Sequence, residues 1–265
     1  LNVMLLLASV SLWKKHNPQD NLVLYCDRLT HKLLKDLEVT SLWNDILEYN
    51  HTRPINRSVF WAASKVQVLS EQTEPVIIMD NDTLVFQPIK HLLNPDTVYV
   101  SNFEIGKGYY PNTIDLYVQK LSYRSRWKTE SVNVSFLYLP DPVFTQMYAK
   151  LSLNMMEEFT VMNVPHSQYL IFAEQLLLKH LVDREKIKCR SIISTYWDCN
   201  SWKWGEDNEL GFWPIDKSGS YFNHYGPLKS WIIKDEGDNS YEKEMKMLFN
   251  CVNIPTLDLS IIHKK

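Results

Sequence analysis

Glycine is scarce in this chain, with seven in 265 residues and none before Gly106. A glycine-rich phosphate cradle after the first strand, of the dinucleotide-binding or P-loop kind, is therefore excluded from the N-terminal portion. Cysteine is equally sparse: Cys26, Cys189, Cys199 and Cys251 lie far apart, with no Cys-x-x-Cys pair and no zinc-type spacing. They read as reduced thiols in a cytosolic protein, free or peripheral to a membrane. The sequons Asn81-Asp-Thr83 and Asn133-Val-Ser135 agree, since both fall in stretches assigned below to a site rather than to a glycosylated surface. Long apolar runs are missing too. Val3 to Val10 is too short to span a bilayer and lacks the features of a signal peptide. The chain opens on Leu1 rather than Met, which leaves room for an upstream segment. A net charge of -3 supplies no field for nucleic acid or an anionic membrane, and the basic run Tyr123-Arg-Ser-Arg-Trp-Lys128 reads as a solvated loop.

What is present centres on Pro75-Val-Ile-Ile-Met-Asp-Asn-Asp-Thr-Leu-Val-Phe86. Val76 to Met79 is a short apolar run expected to form a strand buried on both faces. Asp80 and Asp82 follow it at once. In open α/β folds ligands gather at strand ends, and two carboxylates there can hold a hard divalent cation that in turn holds a diphosphate.

Around this stretch the pattern alternates. Helices are expected at Met4 to His16, Thr30 to Leu37 and Ser58 to Gln72, the last carrying Lys65, with strands at Asn21 to Asp27, Asp45 to Tyr49, Thr83 to Phe86 and Thr97 to Phe103. Asp27 closes its strand, where an aspartate suits a strand-end turn. Further on, Ser131 to Leu139 reads as a buried strand containing the polar residues Asn133 and Ser135, and Val143 to Leu153 as a helix. Ser167 to Leu181 is an amphipathic helix bearing Glu174 and Gln175. A late strand is expected at Ile192 to Asp198, and a helix at Tyr241 to Phe249. Residues 197 to 231 form a loop-rich stretch with five of the nine tryptophans, of which Trp202, Trp204 and Trp213 suit either stacking on a ligand face or packing of a loop-rich subdomain. Alternating strands and helices predict an α/β fold with a mostly parallel sheet.

Four stretches carry a resemblance: Trp61-Ala-Ala-Ser-Lys65, Asp80-Asn-Asp82, Asn133-Val-Ser135 and His224-Tyr-Gly-Pro-Leu-Lys229. In this order they are similar to the nucleotide-sugar glycosyltransferases of GT-A fold, and most to the retaining enzymes of glycosyltransferase family 8, the glycogenin and galactosyltransferase type. The resemblance implies a single GT-A-like, Rossmann-like catalytic domain over 1–265. Its sheet would be mixed but mostly parallel, with helices on both faces and a loop-rich C-terminal part. The nucleotide-binding half would be 1–105, the donor-sugar and acceptor half 106–232, and the tail 233–265.

Carried over residue by residue, Asp80, Asp82 and His224 would ligate Mn2+ or Mg2+. Asp27, Lys65, Asp80, Asn133 and Gly226 would hold the nucleoside-diphosphate sugar, with UDP as nucleotide, and Glu174, Gln175 and Lys229 would act on the reacting bonds. The family's late motif places its glycine one residue later than Gly226, and its donor-pocket segment has glycine where Ser135 stands. The expected activity is transfer of a sugar to a glycan or other hydroxyl acceptor in glycan biosynthesis, with no nucleic-acid partner; the resemblance implies retention, Glu174 itself suits either stereochemical course, and the oligomeric state stays open. Two alternatives remain: a sugar- or nucleotide-binding or scaffold protein that has lost turnover, and a haloacid-dehalogenase-like phosphotransferase. The second fits poorly, because Leu84 stands where that family wants Thr or Val.

Overall fold

The computed structural model describes residues 2–105, 130–163, 168–193, 196–198, 203–204, 222–224 and 250. The chain divides into two compact units. One comprises Leu1–Asn50, Asn81–Lys90 and Phe212–Lys265; the other comprises His51–Asp80 and His91–Gly211.

The first unit opens with helix α1 (Asn2–His16). Its buried residues, Met4, Leu5, Leu7, Ala8, Ser9, Val10, Leu12 and Trp13, run round most of the cylinder rather than along one side. A helix that is apolar all round belongs in a core. Lys14, Lys15 and His16 stand in its last turn, where cations meet the free carbonyl groups. Strand β1 (Val23–Cys26) pairs in parallel with β2 (Asp45–Glu48), Val23 opposite Asp45 and Cys26 opposite Glu48. Helix α2 (Arg28–Asp36) lies between them in sequence. It starts at Arg28 rather than at Thr30 because Asp27 caps it: the carboxylate accepts from the Thr30 backbone N–H at 2.8 Å. Leu34, Leu37, Val39, Trp43 and Leu84 join the α1 side chains in one apolar cluster.

In the second unit, helix α3 (Ala63–Ser70) is shorter than the sequence suggests. The Asn56 side chain accepts from both the backbone N–H and the hydroxyl of Ser58, which holds the preceding residues in turns. Strand β3 (Val76–Met79) follows. Then β4 (Thr83–Val85) belongs to the first unit, and β5 (Thr97–Ile105) and β6 (Ser131–Leu139) return to the second. Helix α4 (Pro142–Val161) is capped by Asp141 and has proline at its first position, where the missing N–H costs nothing. Next come α5 (Gln168–Ile171), a π-helical turn at Phe172–Leu176, and α6 (Leu177–Arg184). Of the late strand expected at Ile192 to Asp198, β8 (Tyr196–Asp198) is found; a separate strand, β7 (Lys188–Ser191), precedes it and β9 (Lys203–Trp204) follows. The last described strand, β10 (Phe222–His224), pairs antiparallel with β4 in the first unit.

The larger sheet overturns the mostly parallel, GT-A or Rossmann-like arrangement. Its order is β3-β6-β5-β8-β9, with β7 also on β5, and it does not close. The pairings β3–β6, β5–β6 and β8–β9 are antiparallel, and only β5–β7 and β5–β8 are parallel. The physical reason is plain. An apolar run records burial but not strand direction, so Val-Ile-Ile-Met serves either kind of ladder equally. β3 is also half-buried rather than buried on both faces, because it ends the strand order. Phe60, Val66, Leu69, Val100, Leu137, Tyr148, Phe159 and Phe172 anchor this unit's core.

Candidate active site

The last pair of the β3–β6 ladder is Met79 with Phe136, and the Asp80 backbone N–H continues it by donating to the Ser135 carbonyl at 2.8 Å. Just there β6 bulges. Val100 faces Leu137 and Asn102 faces Asn133, so three residues of β6 stand against Ser101 alone. Bulges of this kind re-aim side chains and are frequent beside active sites.

Lys65, on α3, reaches this point. Its Nζ donates to Asp80 Oδ1 at 2.9 Å and to the Val134 carbonyl at 3.4 Å. The same nitrogen lies 2.8 Å from Glu174 Oε1, an ion pair without the alignment of a hydrogen bond. The Lys65 side chain is 15% exposed and that of Glu174 6%, while Asp80 keeps 34% of its surface. One ammonium therefore answers two carboxylates, and the side open to solvent is the aspartate's.

Burial alone would lower the Lys65 pKa, yet the charges of Asp80 and Glu174 outweigh it and lift the group well above the ordinary lysine value. Glu174 is also raised. Burial is the main cause and the charge of Asp80 adds to it, while Lys65 opposes both. A buried carboxylate poised this way beside a fixed cation is the type of group that enzymes use for charge and proton work.

Glu174 occupies the π turn, a local winding often found at functional sites. Tyr148, fully buried on α4, donates its hydroxyl to the Glu174 carbonyl at 3.0 Å. Gln175 Oε1 is buried with no hydrogen-bond partner among the described residues. Asn133 is satisfied by the protein: its Oδ1 accepts from Ser101 Oγ at 2.9 Å and from the Ser135 N–H at 3.0 Å, and its Nδ2 donates to Glu104 Oε1 at 2.9 Å. These bonds pin the β6 bulge beside Lys65.

Of the residues selected from the sequence, the fold thus gathers Lys65, Asp80 and Glu174 in direct contact. Asp82 and His224 belong to the other unit. Asp82 is buried, and the β4–β10 register sets His224 opposite Thr83, the residue after Asp82. Neighbouring positions of a ladder face opposite sides, so this register does not by itself bring the two residues to one ion. Among the described residues no group of three or more His, Cys, Asp or Glu is arranged to hold a metal ion. Asp27 spends its carboxylate on the α2 cap. Lys229, Gly226, Trp202 and Trp213 lie outside the described residues, and Trp204 is placed by its backbone only.

Sequence reasoning did not find Tyr148, Ser101 or Glu104. A tyrosine on the apolar stripe of a helix does signal a hydroxyl in need of a partner, but not which partner. Cys26 and Cys189 are free. Burial pushes the Cys189 thiol up to about 12, which leaves it unreactive. No described helix is long and apolar enough to cross a membrane.

No curated protein matches the chain. The model of a family of unknown function, DUF6734, matches residues 3–231, and the chain belongs to that family.

Proposed function

We infer that this protein is a glycosyltransferase that moves a sugar from a nucleoside-diphosphate sugar, with UDP as the nucleotide, to a hydroxyl acceptor with retention. The observation that carries this reading is the contact of Lys65 with both Asp80 and Glu174 at the tip of β3. Departure of a diphosphate leaves positive character on the anomeric carbon. Groups fixed in place before that charge develops stabilise it most. Lys65 holds the two carboxylates at set positions, one shielded and one partly open to solvent. Glu174 supplies the shielded carboxylate, and Asp80 the partly exposed one. Asp82 and His224 would hold a divalent cation, manganese or magnesium, whose chemistry when bound is to neutralise the diphosphate. The similarity of the four short motifs to glycosyltransferase family 8 supports the same reading. Its place in the cell is the cytoplasm, free or at a membrane surface, in glycan biosynthesis.

The test is a panel of nucleotide sugars incubated with the protein and manganese, reading nucleoside-diphosphate release. Release from one member, lost in Asp82→Ala and in Glu174→Gln with the circular-dichroism spectrum unchanged, supports the assignment. Undiminished release in Asp82→Ala removes it. A second reading draws on the engagement of Asp80 by Lys65, which suits a binding protein that holds a sugar nucleotide without turning it over. Manganese-dependent nucleotide binding with neither transfer nor hydrolysis would select that reading.

A further inference from the structure

The π turn that carries Glu174 needs its own explanation. A π turn holds one residue more than an α turn in the same length, and relaxing it would rotate the side chains that follow by about a quarter of a circle or more. Something must hold it wound. The Glu174 carbonyl accepts from the Leu177 backbone N–H, which also reaches the Phe172 carbonyl, and it accepts from the Tyr148 hydroxyl at 3.0 Å. Tyr148 is fully buried within the core formed by α4, the π turn and the sheet, so its hydroxyl has no water to turn to. Its donation to a backbone carbonyl fixes the main chain of the very residue whose side chain meets Lys65.

We propose that Tyr148 is a positioning residue, whose hydroxyl keeps the π turn wound and thereby holds the Glu174 carboxylate against Lys65. The catalytic meaning of this device rests on the transferase reading above; the structural coupling does not. The charged groups that face Glu174 are Lys65 from α3 and Asp80 from the β3 tip, with the Tyr148 phenol facing it from α4. Lys179, on the helix following the π turn, is spent on Asp183 and Glu130. Loss of the Tyr148 bond frees the turn to rewind and the Glu174 carboxylate to leave Lys65.

The experiment uses the full chain labelled with nitrogen-15 and follows hydrogen–deuterium exchange of the backbone amides in the unaltered protein, in Tyr148→Phe and in Phe144→Leu. The expected result is exchange at Gln175, Leu176 and Leu177 faster by roughly tenfold in Tyr148→Phe, with the amides of β5 and β6 unmoved. Phe144→Leu, a purely packing change on the same helix, leaves the π turn protected. Unchanged protection in Tyr148→Phe overturns the proposal. Should that variant not fold, the unaltered protein decides: the Tyr148 hydroxyl proton must exchange slowly and lie close to the Leu177 amide proton, and a rapidly exchanging hydroxyl overturns the proposal. Where a nucleotide sugar is turned over, Tyr148→Phe lowers kcat roughly ten- to a hundredfold with KM little changed, the mark of a misplaced group rather than lost binding. A protein inert toward every nucleotide sugar would end the transferase reading, and the exchange would still decide the role of Tyr148.

Discussion

The two units solve the problem of their interiors differently. The first fills its core with α1, whose Met4, Leu5, Leu7 and Ala8 are wholly shielded, and adds Leu34, Trp43 and Leu84; among its described residues the buried charged side chain is Asp82. The second is larger and also mainly apolar, yet it takes Lys65 and Glu174 in with little exposure and ties Asn133, Ser101 and Glu104 together across β5 and β6. Apolar burial stabilises at about 25 cal/mol per Å², whereas a buried ion pair often does no better than a hydrophobic replacement. The polar features of the second unit are thus poor investments in stability alone. Their cost is reasonable where a site requires them, and that is why the charged cluster, not the apolar helix, marks where chemistry belongs.

The contrast is most exposed to Lys65→Met. Removing the ammonium leaves Asp80 and Glu174 facing each other without a cation, which should destabilise the fold by about 3–5 kcal/mol, toward the lower end because Asp80 is partly solvated. Chemical denaturation measures this directly. Adding Glu174→Gln to Lys65→Met should restore part of the loss, since the amide needs no counter-charge; a double-mutant cycle with no coupling would deny that the pair interacts.

The pH dependence of stability sharpens the same point. Because the folded state raises the pKa of Glu174, the native protein binds that proton more tightly than the unfolded chain does. This contribution is complete below the ordinary value of 4.5 and is lost as pH rises through the raised value. Glu174→Gln should therefore remove a downward slope of unfolding free energy with pH above 4.5. Equal slopes in the two proteins would mean that the carboxylate is not buried as described. Lys65 acts in the same direction at alkaline pH, its contribution vanishing only above the ordinary value of 10.5.

How far the sequence reveals this can be judged strand by strand. β3 and β6 occupy the residues that their apolar runs mark, 76–79 and 131–139, because a bounded run of that length has few other uses. The helices α1 and α4 were legible in place, but α4 extends eight residues past Leu153, where Met155, Met156 and Phe159 continue the buried face. Strand direction was not legible, since pairing is decided by which neighbour the chain returns to and not by side-chain order. Lys65, Asp80 and Glu174 each stood out as a charge near an apolar element. That one ammonium serves both acids depends on the β6 bulge and the π turn, and neither leaves a periodicity that the residues alone disclose.

A smaller effect tests the polar lining of the sheet. Asn133→Ala strips partners from Ser101, Glu104 and the Ser135 N–H at once, and should cost about 1–3 kcal/mol in unfolding free energy. Asn133→Asp keeps the acceptor but sets a carboxylate against Glu104, so it should be no better tolerated. If both variants were as stable as the parent, the network would be incidental to the bulge.

The least disruptive change lies in the first unit. Asp27 caps α2, and Asp27→Ala should cost about 0.5–2 kcal/mol of stability. Asparagine caps a helix nearly as well as aspartate, so Asp27→Asn should lie close to the parent. The pair of variants separates two roles that the end of a strand can serve. A capping residue makes alanine costly and asparagine harmless, with KM for a sugar nucleotide unmoved by the amide. A residue holding a ribose through its charge would instead raise KM in Asp27→Asn while stability stayed level. The 2.8 Å bond from the Thr30 N–H already occupies Oδ1, and a carboxylate spent on its own helix has one oxygen fewer for a ligand. Stability, not KM, is therefore the quantity that Asp27 should control.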